Sequence, residues 1–275
     1  MDKKPGPIGV FDSGYGGLTV LSDFLTLLPE YDYYYLGDNA RSPYGSRSFD
    51  TVYTYTLQAV KKLFEMGCQL VILACNTASA KALRTIQQND LPLIDPSRRV
   101  LGVIRPSVEA IGEYTKTNTV GILGTAGTVA SNSYPLELAK IYPQIHVLQE
   151  ACPMWVPLVE NNEHNSEGAD FFIKKNIQNL VNRNNKIDTV ILGCTHYPLL
   201  YAKIKKYIPE NIKIVSQGKI VAESLRNYLQ RHPEMEVKCS KNRIRNFFTT
   251  ESTELFMERA RIFCNDIQSV SHVEL

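Results

Sequence analysis

The stretch Val71-Ile72-Leu73-Ala74-Cys75-Asn76-Thr77 returns 119 residues later as Val190-Ile191-Leu192-Gly193-Cys194-Thr195-His196, cysteine on cysteine. A chain that carries one buried-strand signature twice is constrained to fold as two related units. Two weaker echoes share an offset of 112: residues 9–13 against 121–125, and residues 35–38 against 147–150. Short apolar runs at 8–11, 33–36, 70–74, 120–123, 145–148 and 190–192 each lead through Gly, Ser, Thr or Asn into a segment with helical spacing. That alternation predicts βαβ units with parallel strands. The expected fold class is α/β, with two homologous parallel-sheet domains, flavodoxin-like halves related by a pseudo-twofold, and the active site in the cleft between them. Parallel sheets bind ligands at their strand C-terminal ends, so facing halves would each bring one cysteine to a shared cleft.

Helical patterns cover 18–28, 51–66, 78–88, 169–181, 221–230 and 253–264, and further strands are expected at 212–215 and 247–249. The polar tract 89–99 reads as the crossover into the second half. The expected division is a discontinuous first domain, 1–98 plus 213–275, around a second domain, 99–212.

At 275 residues and 44% hydrophobic, the chain has apolar material for one large core or two smaller ones. Its 30 basic and 28 acidic residues leave a net charge of +2, which gives no electrostatic surplus for nucleic acid or an anionic membrane. A small-molecule partner is expected, with no nucleic acid and no membrane. Apolar runs stop at strand length, and residues 1–7 run into Pro-Gly-Pro without a secretory core, so a cytoplasmic protein is expected. Six cysteines, at 68, 75, 152, 194, 239 and 264, form no Cys-x-x-Cys pair and no chelating spacing. Free thiols, no metal and no cofactor are expected.

Cys75 follows a strand and precedes a helix, where the helix N-terminus favours a thiolate and should lower a thiol pKa of about 8.5. Cys194 repeats the setting, with Pro198 suited to a first helical turn and His196 placed to hold or relay a proton. Two equivalent thiols facing one cleft point to proton transfer at both faces of a single carbon. Asp12, at the end of the first strand, either caps its helix, pairs with a substrate ammonium or orients Cys75. Glu160 is either a surface residue or the second-half counterpart of Asp12. Arg41-Ser42-Pro43-Tyr44-Gly45 is a turn able to present N–H groups to an anion, and residues 124–128 offer hydroxyls to a carboxylate. Cys152, with no helix start after it, reads as structural. Rival readings are a two-lobed module that binds a small anion without turnover and a thiol hydrolase using one cysteine with His196.

Together, Phe11-Asp12-Ser13-Gly14, Gly37-Asp38, Pro43-Tyr44-Gly45, Ala74-Cys75-Asn76-Thr77-Ala78-Ser79, Gly102-Val103-Ile104, Gly124-Thr125, Val156-Pro157-Leu158-Val159-Glu160 and Leu192-Gly193-Cys194-Thr195-His196-Tyr197-Pro198-Leu199 resemble the glutamate racemase family, within the cofactor-independent aspartate/glutamate racemases. The resemblance runs from about residue 8 to 200. It implies interconversion of L- and D-glutamate without cofactor or metal, supplying D-glutamate for peptidoglycan, in a homodimer. Cys75 and Cys194 would be the acid/base pair, assisted by Asp12 and His196 respectively, with Glu160 near the second cysteine. Ser13, Tyr44, Gly45, Asn76, Thr77, Thr125, Thr128 and Thr195 would line the substrate pocket with Asp12 and His196. An aspartate or related amino-acid racemase is the alternative, since one methylene is read by pocket shape. Arg105, Met154-Trp155 and Ser216-Gln217-Gly218 depart from the family pattern.

Overall fold

In a computed structural model, which describes residues 4–264 and 267–275, the strands are β1 (Ile8–Asp12), β2 (Tyr33–Gly37), β3 (Leu70–Leu73), β4 (Arg99–Gly102), β5 (Thr119–Gly124), β6 (His146–Ala151), β7 (Thr189–Gly193), β8 (Lys213–Val215), β9 (Arg245–Thr249) and β10 (Val270–His272). They form one sheet of order β10-β9-β2-β1-β3-β4 and another of order β6-β5-β7-β8, with every pairing parallel. The order β2-β1-β3-β4 reappears as β6-β5-β7-β8, so the sequence repeat is a repeat of topology. The central strands β1, β3, β5 and β7 are buried at every residue. Helices cover both faces of such a sheet, which is why these strands read as unbroken apolar runs rather than alternating ones.

The expected domain boundaries shift. Residues 99–102 are β4, paired with β3 at the edge of the first sheet, and residues 213–215 are β8, paired with β7 in the second. The tract 89–99 is not the crossover: its first part closes a helical turn, Leu91–Ile94, and its end starts β4. The chain crosses after Gly102 through the helix Ile104–Ile111, which buries Ile104, Val108 and Ile111 against Tyr134, Leu138 and the second sheet. It returns directly after β8, where the helix Gly218–Arg231 packs on Gly17–Leu27. Gly218 leaves room for the facing helix: a Cβ there would stand 1.9 Å from Asp23 Oδ2.

The helix expected over 78–88 is broken into Asn76–Lys81, Leu83–Thr85 and a π-turn at Ile86–Asp90. The largest apolar cluster joins the halves, running from Val10, Leu18 and Phe24 through Trp155 and Tyr197 to Ile204. Among the described residues no helix is long and apolar enough to cross a membrane.

Candidate active site

Cys75 lies two residues beyond β3 and Cys194 directly after β7, at equivalent C-terminal ends of the two sheets. Both line one cavity of about 150 Å³ between the halves, together with Ser13, Tyr44, Gly45, Asn76, Thr77, Thr125, Thr195 and His196. Pockets for drug-sized ligands run to roughly 300–1,000 Å³, so this is a space for a smaller molecule. Each cysteine is 6% exposed, which keeps bulk water from both sulfurs.

Cys75 Sγ stands 3.4 Å from Ser13 Oγ and accepts the Ala78 backbone N–H at 3.5 Å, capping the helix Asn76–Lys81. The sequence setting predicts a lowered pKa for this thiol; the structure has it pushed up to about 12. Burial raises it most and the Asp12 carboxylate adds to that, which together outweigh the hydroxyl and the helix-start N–H. Cys75 is therefore a thiol in the free protein.

Cys194 Sγ lies 3.9 Å from His196 Nδ1, and His196 Nε2 lies 3.0 Å from Glu160 Oε1. Burial opposes the imidazolium, yet hydrogen bonds to Cys194 and Glu160 overcome it and lift the His196 pKa to about 10. Phe263 packs edge-on against the ring at 5.4 Å between centroids. The residues Cys194, His196 and Glu160 thus form a chain that can take up or release a proton at the sulfur while its charge stays delocalised over buried partners.

Asp12, Thr128 and Glu160 stand behind the cavity wall rather than on it. Asp12 is fully buried; it accepts from Gly14 N at 2.9 Å and from the Thr195 hydroxyl at 3.3 Å. Burial raises its pKa, against the pull of His196. It reaches Cys75 through space, as a neighbouring negative charge. Thr77 from the first half meets Thr125 from the second, hydroxyl to hydroxyl at 3.0 Å, and Thr125 donates to Thr128 at 3.1 Å. The Tyr44 hydroxyl is held by Asp38, which also accepts from Arg41 and Thr250.

Sequence reasoning missed several lining residues. Cys152 is part of the wall, its pKa carried well above the ordinary value by burial and by Glu150, and with Pro153, Val156 and Pro157 it makes an apolar side. Ser42 and Pro43 come from the turn that the sequence marked as an anion-presenting loop, and Ser46 follows it. Among the described residues no group of three or more His, Cys, Asp or Glu is placed to hold a metal ion.

Gly16 has an ordinary helical backbone (φ −58°), but a Cβ there would lie 2.2 Å from Thr195 Oγ1 and 2.4 Å from His196 Nδ1. Overpacking of this kind costs about 1–3 kcal/mol, so Gly16→Ala is expected to lower the melting temperature by roughly 2–10 °C in a thermal scan. An unchanged melting temperature would mean that the two halves part more easily here than the packing indicates.

A family model described as Asp/Glu/Hydantoin racemase matches residues 25–225. A protein from Listeria monocytogenes named glutamate racemase is 38% identical over 270 residues, covering 98% of each chain. A solved glutamate racemase isoform from Bacillus anthracis superposes with a TM-score of 0.89 at 36% identity, covering 98% of both chains. A glutamate racemase from Francisella tularensis, solved in complex with D-glutamate, gives 0.85 at 29% identity, covering 100% of this chain and 98% of that one.

Proposed function

Because the chain belongs to the Asp/Glu/Hydantoin racemase family, we propose that it is a glutamate racemase that inverts the α-carbon by proton transfer between Cys75 and Cys194. The observation that carries this reading is the pair of buried thiols at equivalent strand ends on one cavity between the halves. Inversion requires a proton to leave one face of the carbon and another to arrive at the opposite face, so a single base does not suffice. One cysteine, as thiolate, takes the α-proton while the other, as thiol, delivers from across the cavity.

The α-proton of an amino acid is very weakly acidic, so the site has to stabilise the developing carbanion and exclude water. Buried hydroxyls and amides serve the first need: Ser13 and Asn76 donate to the substrate carboxylates, and the hydroxyls of Thr77, Thr125 and Thr195, which bond Thr125, Thr128 and Asp12 in the free protein, turn to the substrate when it enters, with Tyr44 and Gly45 closing the turn over them. Burial of both cysteines serves the second. His196, backed by Glu160, balances charge at Cys194. Asp12 acts from behind the wall, fixing Thr195 and opposing premature ionisation of Cys75. Glutamate is favoured over aspartate because the relatives that match nearly the full chain carry that name. The product, D-glutamate, would serve peptidoglycan synthesis in the cytoplasm, from a homodimer.

Proton NMR of the purified protein with L-glutamate in D₂O, chelator present and no cofactor added, tests this directly. The α-proton signal should vanish while circular dichroism of the amino acid decays to zero. Persistence of both signals with folded protein would refute glutamate as substrate; decay with aspartate alone would move the assignment to the alternative substrate.

A further inference from the structure

We infer that Gln217 is a positioning residue for the substrate cavity, fixing the side-chain amide of Asn76 from the place where both crossings between the halves meet. The inference rests on the racemase reading and adds a residue to it.

Asn76 follows Cys75 and lines the cavity. Its Oδ1 accepts the Tyr134 hydroxyl at 2.8 Å and its Nδ2 donates to Gln217 Oε1 at 2.8 Å. Gln217 Nε2 in turn donates to the Tyr134 hydroxyl at 2.7 Å and to Ser107 Oγ at 2.6 Å. The three side chains form a closed ring. The Tyr134 hydroxyl has one proton, given to Asn76, so it must accept from Gln217; the Ser107 hydroxyl gives its proton to the Val103 carbonyl at 2.9 Å, so it too must accept. Turning the Asn76 amide over would set its oxygen against Gln217 Oε1, acceptor to acceptor. With Ser107 committed to Val103, Gln217 cannot turn over as well, so this orientation alone satisfies the network, and it leaves the second N–H of Asn76 free for a substrate oxygen.

All four side chains are buried, where hydrogen bonds are strong and an unpaired group is expensive. Their places in the chain are as telling as their bonds. Val103 and Ser107 belong to the first crossing between the sheets, Gln217 to the second, Tyr134 to the second half and Asn76 to the first. A change in the angle between the halves therefore reaches the cavity donor through Gln217.

Gln217→Met retains the volume and removes the ring. It is expected to raise KM for glutamate about tenfold, the effect of one lost hydrogen bond to a charged group, with kcat changed less than about threefold. In an Asn76→Ala background the same substitution should change kcat/KM by less than about twofold, because the amide it positions is gone. Tyr134→Phe, which removes the donor to Asn76 Oδ1 and one acceptor of Gln217 Nε2 but leaves the Asn76–Gln217 bond, provides a second, milder variant and should move KM in the same direction. A purely structural role would lower the melting temperature and leave KM of the folded enzyme unchanged. Unchanged KM in either folded variant, or a full Gln217→Met effect persisting in the Asn76→Ala background, overturns the proposal. If wild-type protein leaves glutamate untouched, the racemase reading fails first and the proposal falls with it.

Discussion

Cys75→Ser and Cys194→Ser should each lower kcat/KM for racemisation by at least about a thousandfold, near the upper range for losing a positioned proton donor or acceptor. The free energies of L- and D-glutamate are equal in water, so the equilibrium constant is unity and kcat/KM must fall equally in the two directions in any variant. What need not fall equally is isotope exchange. A variant that keeps one working thiol can still remove and return the α-proton on that thiol's face, with retention. In D₂O, Cys75→Ser is therefore expected to exchange the α-proton of one enantiomer slowly while inverting neither, and Cys194→Ser to favour the other enantiomer. The readout is the α-proton signal of each pure enantiomer followed beside its optical signal. A thiol hydrolase using Cys194 with His196 predicts that Cys75→Ser is harmless, and a binding module predicts that both variants are. Full racemisation by either serine variant would remove the two-thiol mechanism.

The parts of this architecture that were legible in the sequence are those whose surroundings are uniform. β3 and β7 are sheathed on both faces, so Val71-Ile72-Leu73 and Val190-Ile191-Leu192 announce themselves, and the cysteines follow at the strand ends where ligands bind. β4 did not announce itself, because an edge strand that opens on Arg99 and holds two apolar residues before Gly102 looks like loop. That one omission placed the crossover a full element too early. The sign of the Cys75 shift was also out of reach: a helix start is a local feature, whereas the burial and the Asp12 carboxylate that overcome it come from folding. Cys152 and Gln217 fail for the same reason. Neither sits in a recognisable local setting, and each acquires its place only when the second half closes on the first.

Substitution of His196 should have the next largest effect, and pH separates its electrostatic role from its packing. His196→Gln fills similar space and can still hydrogen-bond, but it cannot carry a proton between Cys194 and Glu160. A loss of about a hundredfold in kcat/KM is expected near neutral pH, within the range for general acid–base groups. Stability provides the independent check. Folding raises the His196 pKa from 6.5 to about 10, so the folded state holds this proton more tightly than the unfolded chain does. The resulting stabilisation is complete below about pH 6.5 and is lost progressively as pH rises through 10. Tyrosines and lysines of the unfolded chain titrate near the top of that range, but they are common to both proteins. The difference in melting temperature between wild type and His196→Gln should accordingly be largest at and below neutral pH and shrink toward zero above pH 10. A difference that stays constant from pH 6 to pH 10.5 would mean that the imidazole is neutral in the folded protein and that Cys194 is not paired with a buried imidazolium.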